Sequence, residues 1–383
     1  MSRVVKLEEL CIPDQIGKYG IPAVAEEFSE DKVRYLRITD IDDYGNLLEN
    51  DKKSVSSPEI EKYILKEGDI VFARTGNSTG RTYFHEEKNG ELAFAGLLIK
   101  FSLDESKVNP KYLKYFTISK PYKQWVDNLS NGSTRGNINA KTFADCPIIL
   151  PPRAQQDYLV RVLSSLEEKI QINDQINQEL EAMAKTLYDY WFVQFDFPDQ
   201  NGKPYKSSGG KMVYNPELKR EIPEGWGVEN LFDIADVQYG YPFSTDYFNS
   251  IGEGVPVIRI RDILGNDITN YSTEEVEDKY KINVGDVLIG MDGNFHMNYW
   301  IKENCYLNQR VVKVNSDKLP NMVLKYQIEP FIKLREKSVS RTTVGHLSDK
   351  DLKAINVILP KEKNLSPIVE RFESILKNII INQ

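Results

Sequence analysis

Histidine and cysteine are scarce in this 383-residue chain, three of each. Cys11, Cys146 and Cys305 form no C-x-x-C pair, and His85, His296 and His346 stand apart from them and from one another. A structural zinc and a disulfide scaffold are thereby excluded, and the thiols read as buried or incidental cysteines of a reducing compartment. No stretch approaches the ~18–20 apolar residues of a membrane span. The opening Met-Ser-Arg-Val-Val-Lys lacks the apolar run of a signal peptide, so the expected location is cytoplasmic, with no membrane partner. Positive charge is also short: 49 Lys and Arg face 57 Asp and Glu, a formal charge of −8. Taken over the whole chain, that balance speaks against a nucleic-acid binder, whose usual footprint is a basic patch.

What is present is enough for real cores. Hydrophobic residues make up 40 % and aromatics 11 %, which suits a globular protein of about two domains. The chain is also written twice. "VRYLRITDI" (33–41) matches "VPVIRIRDI" (255–263), and "EGDIVFARTGN" (67–77) matches "VGDVLIGMDGN" (284–294). "YLKY" (112–115) answers "VLKY" (323–326), and "GNINAKTFADCPIILP" (136–151) answers "GHLSDKDLKAINVILP" (345–360). The order is kept while the offset shrinks from 222 to 209, the signature of two copies of one domain with small deletions in the second. Each copy reads as a small α/β or α+β unit: strands at Val33–Ile41 and Ile70–Ala73, a helix near Pro110–Tyr122, and a closing strand in "CPIILPP" (146–152).

Between the copies, Arg153 to Trp191 contains no Pro or Gly. Leu159, Leu163, Leu166, Ile170, Asn173, Asn177, Leu180, Ala184, Leu187 and Trp191 recur at alternating spacings of four and three, a coiled-coil seam. At ~1.5 Å per residue the helix would be about 60 Å long. Ile368, Phe372, Ile375, Ile379 and Asn382 repeat the first half of that seam after the second copy. Pairing the two helices antiparallel would bury both stripes, with the asparagines either pinning register or lining a wet end. Because the closing helix has about half the heptads, the seam from Asn177 to Trp191 is expected to lack a full partner and to be free for other subunits or self-association. The segment "FPDQNGKPYKSSGGKMVYNPELKREIPEGWG" (197–227) reads as a polar surface connector.

A search for catalytic chemistry finds little. "GNSTGR" (76–81) lacks the Gly-Lys-Ser/Thr ending of a phosphate loop, and there is no G-x-S-x-G elbow. The cluster "DIDDYG" (40–45) reads as a solvated turn, since the second copy has "DILGND", and the Asn-Pro-Pro-Tyr type of amino-methyltransferase signature is missing. Loops poor in acid are more informative. "SNGSTRGNINAK" (130–141) and "KLREKSVSRTTVGH" (333–346) combine cations with small polar residues suited to phosphate contacts. "ARTGNSTGR" (73–81) adds arginines and an asparagine able to read base edges. The candidate DNA-contacting set is Arg37, Arg74, Asn77, Ser78, Arg81, Thr134, Arg135 and Asn137 in the first copy. Its second-copy members are Arg259, Arg261, Asn294, His296, Arg341, Thr343 and His346.

Three stretches carry a resemblance to the specificity subunit of type I restriction-modification systems: "GDIVFARTGNSTG" (68–80) with its second copy (285–294), "CPIILPPRAQQDYLVRVLSSLEEKIQIN" (146–173), and "LYDYWFVQFDFPDQNGKPYKSSGGKMVYNPELKREIPEGW" (187–226). The resemblance implies an α+β chain with two similar α/β target-recognition domains, 1–152 and 227–361. They are separated by long helices, 153–196 and 362–383, forming an antiparallel coiled coil, with the connector at 197–226. It further implies that each domain reads half of a split, asymmetric site on double-stranded DNA, and that the helices set the gap and dock two modification (methyltransferase) subunits. Restriction subunits would join that assembly, and S-adenosylmethionine, ATP and Mg would sit on the partners, with no cofactor on this chain. The competing readings are a self-contained methyltransferase or nuclease, and a repeat-domain spacer that binds no DNA.

Overall fold

The computed structural model describes residues 2–130, 137–265, 268–338 and 345–383. The chain divides into two units, Met1–Lys169 and Ile170–Gln383. Three sheets correspond between them, as two copies of one sequence require, and the second unit adds a hairpin of Met212–Asn215 with Arg220–Pro223.

In the first unit the central strand Asp69–Ala73 is buried throughout. It pairs antiparallel with Leu98–Ser102 on one side and Thr82–Phe84 on the other, while Lys18–Tyr19 extends the far edge. A second sheet joins Glu26–Glu27, Lys53–Ser54, Arg34–Leu36 and Leu92–Phe94, the last two in parallel. Arg3–Lys6 and Pro147–Leu150 close the unit as an antiparallel pair. The strand expected over Val33–Ile41 stops at Leu36. There the Asp40 carboxylate accepts the backbone N–H of Arg37 (2.8 Å) and turns the chain into a short 3-10 helix. The expected helix near Pro110–Tyr122 is two helices, Pro110–Phe116 and Lys120–Ser130, the first capped by Asn109.

The second unit repeats this order. Val287–Gly290 pairs with Val311–Asn315 and Met297–Tyr299, and Asp236–Tyr239 takes the edge. Val255–Ile258 and Cys305–Leu307 form the parallel pair, and Gly227–Asn230 closes on Asn356–Leu359. A buried ion pair sits at the same place in each copy, Lys100 with Asp69 (3.1 Å) and Lys313 with Asp286 (3.9 Å). In the first copy Ser102 Oγ also donates to Asp69 (2.5 Å). Burial raises the Asp286 carboxyl above the ordinary aspartate value, against the opposing pull of a backbone N–H and Lys313.

The helix Arg153–Tyr188 runs from the first unit into the second and ends in a π-helical turn, Asp189–Val193. In the second unit it lies antiparallel to the helix Glu362–Asn382. Asn173 Nδ2 donates to the Asn382 carbonyl (3.0 Å), Asn177 Nδ2 to the Ile379 carbonyl (3.1 Å), and Trp191 meets Phe372 edge-on. Asn382 Nδ2 in turn donates to Asn177 Oδ1 (3.0 Å), so these asparagines hold register.

This pairing corrects the expectation of a free seam from Asn177 to Trp191. Asn177, Ala184 and Trp191 are buried, and Leu180 and Leu187 pack on the core that holds Ile368, Phe372, Ile375 and Ile379. The closing helix emerges from the second copy beside Trp191, where the central helix enters it. It therefore covers the latter half of the seam. Earlier on the seam, Leu159 packs on the first unit's core and Leu163 is half-buried. Leu166 and Ile170 are 52 % and 62 % exposed. The connector departs from expectation too. Phe197, Ile222 and Trp226 are buried, and Phe197 stacks between Tyr205 and Trp226, because its aromatics alternate with the polar residues that suggest a loop.

Candidate nucleic-acid interface

The central strand of each unit delivers its next residues to one rim. In the first unit Arg74 follows Ala73, and its backbone N–H donates to the Leu97 carbonyl (3.1 Å). The Ile138 N–H donates to the Arg74 carbonyl (2.9 Å), which draws Asn137 onto the same edge. Asn137 Oδ1 accepts from Arg74 Nε (3.3 Å) and Nη2 (3.2 Å), and the guanidinium lies over the Tyr19 ring at 5.1 Å. The loop then turns through Gly76 and Gly80 at φ +74° and +84°. A Cβ at Gly80 would come within 2.5 Å of Val126, so this turn needs glycine. Asn77 is exposed at its tip, whereas Ser78 is buried.

The second unit builds the same rim from other residues. Met291 N–H donates to the Arg310 carbonyl (2.9 Å) and Leu347 N–H to the Met291 carbonyl (2.7 Å). Asp292 bridges to His346: Oδ1 is 2.7 Å from His346 Nδ1, and Oδ2 is 3.3 Å from Arg310 Nε. An ionised carboxylate only accepts, so Nδ1 carries the hydrogen and the acceptor position of a neutral imidazole is Nε2. Asn294 is exposed and His296 half-buried on the adjoining turn.

Three expected DNA-contacting arginines are held by the protein itself. Arg37 Nη2 donates to Asp40 (2.6 Å) and to the Asp51 carbonyl (2.7 Å). Arg81 donates to Asp43 (2.7 Å) and the Ile41 carbonyl (3.0 Å). Arg259 donates to Thr269 Oγ1 (3.0 Å) beside buried Asp262. Burial raises the Asp262 carboxyl, opposed by the Thr269 hydroxyl and the charge of Arg261. The "RITD" and "RIRD" repeats are thus capping turns, in which the aspartate three residues on closes a 3-10 helix. Arg261 is exposed. Thr134, Arg135, Arg341 and Thr343 lie outside the described residues. Sequence reasoning missed Tyr19, Asp292 and Arg310; aligning the copies between the 217 and 211 offsets would have set Arg310 against Leu97 as a cation gained in the second copy.

Among the described residues no group of three or more His, Cys, Asp or Glu side chains could hold a metal ion, and no helix is long and apolar enough to cross a membrane.

Comparison with known proteins gives this repeated architecture a family. The model of the type I restriction modification DNA specificity domain matches residues 3–182 and again 223–383. The specificity subunit of the type I restriction enzyme EcoBI from Escherichia coli is 29 % identical over 160 residues, 41 % of this chain; the chain spans about a third (34 %) of that relative's length. The HindI specificity subunit from Haemophilus influenzae is 19 % identical, with 85 % of each chain covered. Among solved structures, the S subunit of a type I restriction-modification system from M. genitalium superposes over the whole chain and 89 % of its own, at a TM-score of 0.50 and 14 % identity. The chain belongs to the type I restriction-modification DNA specificity family.

Proposed function

We propose that this chain is the DNA-recognition and scaffold subunit of a type I restriction-modification enzyme, each unit reading one half of a bipartite, asymmetric site. The observation that carries the reading is the repeated rim. Two copies of one fold present different polar side chains, Arg74 with Asn137 and Arg310 with Asp292 and His346, at the same structural position. Two readers of one shape and different chemistry suit two different half-sites.

In this reading the domains are 1–152 and 227–361, the helices hold the non-specific gap, and two methyltransferase subunits dock on them, joined by restriction subunits. Catalysis, S-adenosylmethionine, ATP and Mg belong to those partners, and this chain has no catalytic residue. Sequencing the methylome of cells with and without the chain tests it: a split motif with a fixed gap should appear only when the chain is present. Methylation by the purified chain alone, given S-adenosylmethionine, would overturn the assignment in favour of a self-contained methyltransferase. Absence of any motif would leave the spacer reading standing instead.

A further inference from the structure

The two rims repeat the same backbone hydrogen bonds, yet their arginines do not come from the same strand. The ladders end at Ala73 opposite Leu98 and at Gly290 opposite Val311. The next pair is Arg74 with Leu97 in the first unit and Met291 with Arg310 in the second, each joined by one backbone hydrogen bond. The cation has crossed the ladder: where the first unit has arginine the second has methionine, and where the first has leucine the second has arginine. We infer that Arg310 is a specificity-determining residue of the second unit, reading a guanine in its half-site, as Arg74 reads one in the first. This rests on the DNA-recognition reading above and adds to it a named base reader.

The geometry points to a base edge more than to a phosphate. In both units the Nε side of the guanidinium is held, by Asn137 Oδ1 in one and Asp292 Oδ2 in the other. Among the described residues, Arg74 Nη1 and both terminal nitrogens of Arg310 have no partner. The edge left open is therefore the end-on fork, with one N–H from each terminal nitrogen. Guanine offers two acceptors, O6 and N7, at the spacing that fork fits in the major groove. The carboxylate of Asp292 lowers the pull of Arg310 on a passing phosphate while its ion pair keeps the Nε side turned toward the protein and the fork turned outward. Asp292 is thus a positioning residue, anchored on its other oxygen by His346.

The test is selection from a library of randomised double-stranded DNA by the full chain together with its methyltransferase subunits. Wild type should enrich a split motif. Arg310→Ala should erase the preference for one guanine in one half, by roughly 5- to 150-fold against the other bases, and leave the other half intact. Arg74→Ala should do the reverse. Arg310→Met keeps the length of the side chain without its donors and should behave as Arg310→Ala; Asp292→Asn should weaken the preference at that same guanine. Retention of the preference by Arg310→Met, an even loss across all sequences, or no change on Arg310→Ala would each overturn the inference while the recognition role stands. A wild type that selects no motif would remove the recognition role, and the inference with it. Arg310 is half-exposed, so circular dichroism of the alanine variant should match wild type.

Discussion

Phe372→Ala tests which half of the central seam is paired. Phe372 is fully buried in the second unit, edge-on to Trp191 with ring centroids 6.0 Å apart. Deleting such a ring from a packed core costs about 3–5 kcal/mol, the lost transfer term plus the cavity it leaves. Leu166, already half in water, should cost no more than about 0.5 kcal/mol when truncated. With a urea slope of about 1–3 kcal/mol per molar, Phe372→Ala should lower the midpoint of the second unit's transition by at least about 1 M, and Leu166→Ala by a few tenths. Tryptophan fluorescence suits the assay, because Trp191, Trp226 and Trp300 all lie in that unit and only Trp125 in the other. Leu187→Ala, packed on the edge of the same core, should fall between the two. Equal shifts for Phe372→Ala and Leu166→Ala would refute the antiparallel register, since they would require the earlier heptads to carry the pairing.

Lys100→Met leaves Asp69 buried without its cation, so the first unit should lose about 3–5 kcal/mol in urea unfolding. The first unit should also lose stability in two acid steps, read by thermal melts across pH. Burial lowers the His85 imidazole below its usual value, so the unfolded chain takes up a proton first and stability falls below about pH 6.5. Burial works to raise Glu86, but the Lys111 hydrogen bond and the charges of Lys114 and Lys88 outweigh it and hold the carboxyl down. Its contribution is therefore present above the ordinary glutamate value and lost as pH falls through the lowered one; His85→Gln should remove the first step only. Burial pushes the Cys11 and Cys146 thiols up to about 12, so a thiol reagent at neutral pH should label them only after unfolding. Asn177→Leu should raise the melting temperature yet permit slipped helix pairings, visible as broadened amide signals along Ile375–Ile379.

The repeat, the long helix and the heptad stripe were legible in the sequence because each is a periodic pattern of apolar residues, and burial follows such patterns closely. Which heptads pair was not, because Leu166 and Leu187 carry the same symbol in the pattern. Only the place where the closing helix leaves the second copy tells them apart. The connector misled for a related reason: its Gly, Ser and Lys residues outnumber Phe197, Tyr205, Ile222 and Trp226, which nonetheless decide where it lies. At the rim, the basic character of the loops was readable, but not the engagement of each arginine. Arg74 and Arg81 look alike in sequence and differ in the side chains that three-dimensional packing sets beside them, Asn137 and Asp43, whereas Arg37 is held by Asp40 of its own capping turn.

Those partners also explain how an acidic chain can carry the DNA-reading face proposed above. Asp40, Asp43 and Asp262 are spent on the fold, closing turns or fixing arginines, and add negative charge without standing in the rim itself. Net charge counts each locked pair as zero and every solvated helix acid in full, so −8 says little about the loops. The same pairing limits the free cations each unit has to offer phosphates. Non-specific affinity rises with the number of phosphates neutralised, at a salt slope of about −0.9 per contact on duplex DNA. A unit with most of its arginines engaged internally should therefore bind weakly and with a shallow salt slope when alone. Under the proposed reading specificity survives that weakness, because there it depends on the direction of one held guanidinium and not on how many cations surround it.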